Sequence, residues 1–161
     1  PVEGRRLSKP TLWREIIMMN ADEVYASKNF KLTADTPNKK LLIGFFDEFV
    51  NGHNMDVFDK YIHPNYIQHA YDEACDLPPG REGARVFFTQ MFQRFPKFHV
   101  NVMHIIEDGD MIVMHGYGVT DPGKIEVLAV DIYRIKDGLL FEHWGIIQTL
   151  PPEQIGNPKL M

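Results

Sequence analysis

Apolar residues recur along this chain with two periods, and the change of period divides it near residue 96. Upstream the spacing is that of a helix face; downstream it is that of a half-buried strand. Leu12, Trp13, Ile16, Ile17 and Met19 suit a short amphipathic helix over residues 11–20. Another helix begins after Thr36, a fitting N-cap, with Pro37 in the first helical position. Leu41, Leu42, Phe45, Phe46 and Phe49 form its apolar face, and Asn51-Gly52 stops it. Asn54 caps a further helix to about Ile62, closed by Pro64, so the two read as a helical hairpin. Tyr66 to Ala70 reads as a short strand and residues 71–80 as a polar, Pro-rich loop. Arg81 to Phe95 predicts a helix with Val86, Phe87, Met91 and Phe95 as its stripe.

Four alternating runs follow, over 97–107, 110–120, 124–135 and 139–149. Asp108-Gly109, Asp121-Pro122-Gly123 and Asp137-Gly138 separate them, and Asp-Gly between alternating runs signals a hairpin. The expectation is an α+β fold in which a curved, mostly antiparallel sheet wraps around the N-terminal helices. Such a sheet leaves a cone-shaped hollow, a favoured place for a small molecule. The domain is expected over residues 37–150. Residues 1–36 form a partly helical extension and 151–161 a loosely attached tail.

Composition narrows the function classes. The chain has 161 residues, is 44% hydrophobic and carries a formal net charge of −5. A single globular domain follows, and the acidic balance disfavours nucleic acid, which needs a basic face. Eleven Phe, six Tyr and two Trp suffice to line a cavity as well as fill a core. Cys75 is the only cysteine, so no internal disulfide forms, and a reducing, cytoplasmic setting fits. It reads as an ordinary loop cysteine. No run is apolar enough for a membrane helix, and the first residues lack the pattern of a signal peptide. No cofactor is expected and no metal set stands out: there is no helical His-x-x-x-His, no cysteine pair and no phosphate-cradling glycine loop. His99 and His104 have opposite strand parity and make no simple metal pair.

The chemistry concentrates on the last two strands. His143 lies among apolar residues on the final strand, and Asp131 interrupts an otherwise buried-looking strand beside it. An imidazole titrates near neutrality and can accept or donate a proton; the bland reading is a satisfied structural histidine. A buried carboxylate needs a partner, so Asp131 either orients His143, acts as the base itself, or anchors structure. Asp131 and Arg134 should point to opposite faces, which weakens an ion pair between them. Trp144 should face away from His143, as core or dimer-face packing, and is kept among the substrate contacts. His115 and Tyr117 share one strand face and are candidates to line the hollow.

In combination, Tyr66-x-Gln68-His69, Gly80-Arg-Glu-Gly83 before a helix, Asp131-x-x-Arg134, and Asp137-Gly138 followed by Glu142-His143-Trp144 and Gln148 resemble the SnoaL-like polyketide cyclase family. The likeness covers roughly residues 38–150. It implies the α+β cone, the cystatin-like or nuclear transport factor two-like fold. It also implies a cofactor-free acid–base enzyme, a cyclase, isomerase or dehydratase, acting on a small, hydrophobic, carbonyl-bearing substrate. On that pattern His143, Asp131 and His69 are the catalytic candidates, with His69 polarising a carbonyl or steadying an enolate. Tyr66 and Gln68 join His115, Tyr117 and Trp144 as candidate substrate contacts. Two departures stand out: Ala70-Tyr71 replaces the usual Asn-Pro, and Gly145 stands where the family usually places the acid implicated in proton transfer. The rival readings are therefore a non-catalytic ligand-binding module of the same fold and a homodimeric interaction protein using the sheet face.

Overall fold

The computed structural model describes residues 34–69, 77–121 and 123–160. The helix expected over 11–20, Cys75 and most of the 71–80 loop lie outside the described residues. Thr36 caps helix α1 (Pro37–Gly44), its hydroxyl accepting from the Lys39 amide. The same hydroxyl reaches Glu107, and Asn38 Nδ2 donates to Glu107 Oε1 at 2.9 Å, so the helix start is tied to the sheet. The chain continues as a π-helical stretch, Phe45–Val50. Its wider turn buries Phe45, Phe46, Phe49 and Val50 while Asp47 and Glu48 stay exposed.

Asn54 caps the next element as expected, but that element is a 3-10 helix, Met55–Lys60. Strand β1 (Ile62–Gln68) then starts four residues earlier than the sequence suggests, with Pro64 inside it. This is tolerable because β1 is an edge strand, where the missing amide disrupts no neighbour. In helix α2 (Arg81–Arg94) Met91 of the expected stripe packs on the core, joined there by Phe88 and Phe92. Phe88 and Phe92 meet Phe49 at ring-centroid distances of 4.8 and 5.4 Å, while Val86 and Phe87 are half-buried.

The four long strands are β2 (His99–Asp108), β3 (Met111–Asp121), β4 (Ile125–Lys136) and β5 (Leu139–Thr149). They pair antiparallel in sequence order, and β1 adds to β5 in parallel, giving the order β1-β5-β4-β3-β2. Asp137 (φ 53°) and Gly138 (φ 73°) make the left-handed turn expected between β4 and β5. Register shifts interrupt every strand pair, and such bulges bend a sheet. One face of this curved, unclosed sheet packs on the helices. Ile112, Met114, Tyr133, Ile135 and Leu140 supply that face and meet the helical Phe cluster. Ile147, one register position beyond Gly145 on the same face, is 66% exposed, so this end of the face stays open.

The tail differs from expectation. Leu150 is buried, and its amide donates to the Glu126 carbonyl at 2.9 Å. The Gly156 amide donates to the Glu126 carboxylate at 2.8 Å, and the Tyr117 hydroxyl donates to that same carboxylate. A buried carboxylate thus holds residues 150–156 against the outer face of the sheet, where sequence alone suggests a loose end.

Candidate functional site

Strand alternation delivers the central pair. On β4 and β5, Asp131 lies opposite Gly145 and Tyr133 opposite His143, so all four positions share the inner face. His143 Nε2 lies 2.9 Å from Asp131 Oδ1, with both side chains 14% exposed. His143 Nδ1 lies 2.9 Å from Gln68 Oε1 on the parallel neighbour β1. Tyr66, two residues back on the same face, donates its hydroxyl to that oxygen at 2.8 Å. The Tyr133 ring lies flat against the imidazole, with centroids 4.6 Å apart and planes 16° apart. His143 is therefore fixed at both nitrogens and on one face.

The hydrogen-bond chemistry of this set is restrictive. Gln68 Oε1 accepts from the Tyr66 hydroxyl, so the amide nitrogen points away and the Nδ1 facing that oxygen carries the proton. Nε2 then faces a carboxylate oxygen, and one proton shared between Nε2 and Oδ1 completes the bond. Among the described residues, Asp131 Oδ2 and the Gln68 amide hydrogens make no hydrogen bond and can serve a further group. The Tyr133 phenol is held well above its ordinary titration range, first by burial and then by the nearby Asp131 carboxylate. It stays neutral at any working pH and serves as an apolar platform.

Gly145 explains how the carboxylate reaches the imidazole. A Cβ at this position would stand 3.0 Å from Asp131 Oδ1 and 3.3 and 3.4 Å from His143 Cε1 and Nε2. A side chain at 145 would be tight against both groups, and the carboxylate or the ring would have to give by a few tenths of an ångström.

Other sequence candidates lie elsewhere. His69 is not with His143: its ring stacks on Trp144 at 4.7 Å and 6°, and its Nε2 lies 3.3 Å from Glu142 Oε1. Consecutive strand residues face opposite ways, so placing Gln68 inward sends His69 to the outer face. Gln68 takes the position beside the imidazole that His69 was expected to hold. Trp144 faces away from His143, as expected, and so lines no common hollow with it. His115 and Tyr117 also lie on the outer face, since the inward positions of β3 are Ile112, Met114 and Gly116. Tyr117 is buried there by the tail. Arg134 pairs with Glu142 at 2.7 Å and Asp110 at 2.9 Å, on the face opposite Asp131. Tyr133 is a site residue that the sequence reading missed; its signal is parity, two positions from Asp131 and opposite His143. Among the described residues no three His, Cys, Asp or Glu side chains converge as a metal set, and no helix is long and apolar enough to cross a membrane.

A curved mixed sheet wrapped over helices, with a polar cluster on its open inner end, defines an α+β cone protein. The profile of the SnoaL-like polyketide cyclases matches residues 40–154, and the chain belongs to that family. No curated protein matches it in sequence. Among solved structures it is similar to IdmH from Streptomyces antibioticus, assigned as a polyketide cyclase: 22% identity, TM-score 0.60, covering 69% of this chain and 91% of that one. A polyketide cyclase candidate from Acidithiobacillus ferrooxidans is similar at 20% identity and TM-score 0.65, covering 72% and 91%. AclR from Streptomyces galilaeus, assigned as a hydroxylase, is similar at 17% identity and TM-score 0.56, covering 73% and 81%. These likenesses establish the fold; their assignments differ in reaction, so the chemistry rests on the residues present.

Proposed function

We propose that this chain is a cofactor-free acid–base enzyme of the cyclase, isomerase or dehydratase type. Its substrate is a small, mostly apolar molecule with a carbonyl group. Residues 37–150 form the catalytic unit, preceded by an extension. The carrying observation is the 2.9 Å contact of His143 Nε2 with Asp131 Oδ1 across the space that Gly145 leaves open. Asp131 Oδ2 takes the proton from the acidic carbon while His143 holds Oδ1. Gln68 and Tyr66 fix the imidazole through Nδ1, and the Gln68 amide hydrogens face the developing oxyanion. Proton transfer by a positioned group contributes about 10²–10⁴-fold, and holding the substrate in geometry supplies the rest.

The test is turnover of a panel of aromatic and aliphatic β-dicarbonyl compounds by the wild type, Asp131→Asn and His143→Gln. The expected result is a wild-type reaction that falls by about 10²–10⁴-fold in each variant, with ligand affinity largely kept. Wild-type rates in both variants overturn the mechanism. Saturable binding with no turnover in any protein replaces it with a ligand-binding module.

A further inference from the structure

We propose that His104 and His115 form a two-imidazole chelate for one borderline divalent ion, Zn²⁺, Ni²⁺ or Cu²⁺, on the outer sheet face. The first ground is the bulge. Val102 pairs with Gly116, but His104 pairs with His115, so one extra residue at Met103 shifts the register between them. Without that shift His104 would lie opposite Met114 and point into the core. Bulges commonly re-aim a side chain, and this one turns His104 outward onto a second imidazole. It also cancels the parity difference between His99 and His104, which sequence alternation treats as decisive.

The second ground is distance. The two Nδ1 atoms are 3.1 Å apart, with ring planes 15° apart. Metal–imidazole bonds of about 2.0–2.1 Å at angles between square-planar and tetrahedral span about 2.8–3.4 Å between the two nitrogens. In the protein alone the contact is an N–H···N hydrogen bond, with a proton in the place of the cation. Coordination needs each ring to tilt until its Nδ1 lone pair meets the ion. The shared proton moves through solvent to Nε2 of the same ring, and both imidazoles stay neutral. Water completes the coordination, since no third ligand converges among the described residues.

The full chain is titrated with ZnCl₂ at pH 7.5, following heat and the ring signals of all seven histidines. One ion per chain, with shifts confined to His104 and His115, is the expected result. His104→Gln and His115→Gln should each weaken binding at least tenfold, since even outer partners of a metal site typically carry about that much. His99→Gln, on the same strand, should change nothing. No shift of the two rings at millimolar Zn²⁺ overturns the proposal, as does unchanged affinity in the double variant. Because His104 is exposed, its substitution leaves the fold intact and the result readable.

Discussion

The two faces of one sheet use the same residue types to different ends. On the inner face an imidazole is held by a carboxylate, an amide and a flat phenol ring, with both members of the ion pair 14% exposed. On the outer face, His69 covers Trp144 and reaches Glu142 at 3.3 Å, and its side chain is 37% exposed. The inner contacts fix both ring nitrogens and leave Asp131 Oδ2 without a hydrogen bond among the described residues. The outer contact holds one nitrogen of a more exposed ring, where water competes. Histidine type and strand position are thus poor guides to role; what surrounds the ring decides it.

The sharpest way to break this contrast is at Gly145. Gly145→Val places a branched side chain where even a Cβ stands 3.0 Å from Asp131 Oδ1. Overpacking of this kind costs about 1–3 kcal/mol. The larger expected effect is local, because the valine branches crowd both the carboxylate and the imidazole. The ¹⁵N signals of His143 should lose the signature of an Nε2–carboxylate bond, and any turnover should fall as far as in Asp131→Asn. Retention of both would mean that the pair does not depend on the gap. On the outer face, His69→Gln should change turnover less than threefold, a factor below about 0.7 kcal/mol in the barrier.

Much of this arrangement is legible in the sequence, and the unread part has physical causes. The meander is legible because Asp108-Gly109 and Asp137-Gly138 sit between alternating runs and hairpins are local. Alternation also sends Asp131 and Arg134 to opposite faces and turns Trp144 away from His143. The parallel pairing of β1 with β5 is not legible, because it joins residues over 70 positions apart with no turn to announce it. Gln68 rather than His69 beside His143 depends on that pairing. The bulge at Met103 shows in the sequence only as two adjacent apolar residues, Val102 and Met103, so the meeting of His104 with His115 becomes visible in three dimensions. In α2 the inward stripe shares Met91 with the expected one and adds Phe88 and Phe92, because apolar residues stand at adjacent positions and spacing alone does not choose among them. Gly145 is the clearest case: the sequence shows no acid at this position, and the fold shows the Asp131 carboxylate lying beside it from the opposite strand.

A pH series sharpens the comparison with a smaller effect. His115 titrates lower in the folded chain than in the unfolded one, through burial and then through His104. Between those two values the unfolded state binds more protons, so stability rises with pH across that window. The penalty begins as pH falls below about 6.5, the value of an unperturbed histidine, and is complete once pH passes below the folded value. Denaturant midpoints from pH 8 to 5 should therefore fall in the wild type and fall less in His115→Gln. Parallel curves would show that the outer pair bears no titration cost.

The smallest expected effect belongs to the ion pairs of the outer face. Hydrogen bonds from Arg134, then from His69, hold Glu142 below the usual carboxylate range. A depressed carboxylate adds stability that is present above its unfolded value and lost as pH falls through the folded one. Glu142→Gln should remove only that acid-limb contribution. Near neutral pH its melting temperature should stay close to the wild type, because Arg134 keeps Asp110 at 2.9 Å and solvated pairs contribute little. The inner pair answers differently: an amide in place of the Asp131 carboxylate takes away the group that His143 Nε2 faces at 2.9 Å, where both side chains are 14% exposed. If Glu142→Gln and Asp131→Asn shift the melting temperature equally at pH 7, the two faces are energetically alike. The inner pair would then have no claim to be more than another solvated contact.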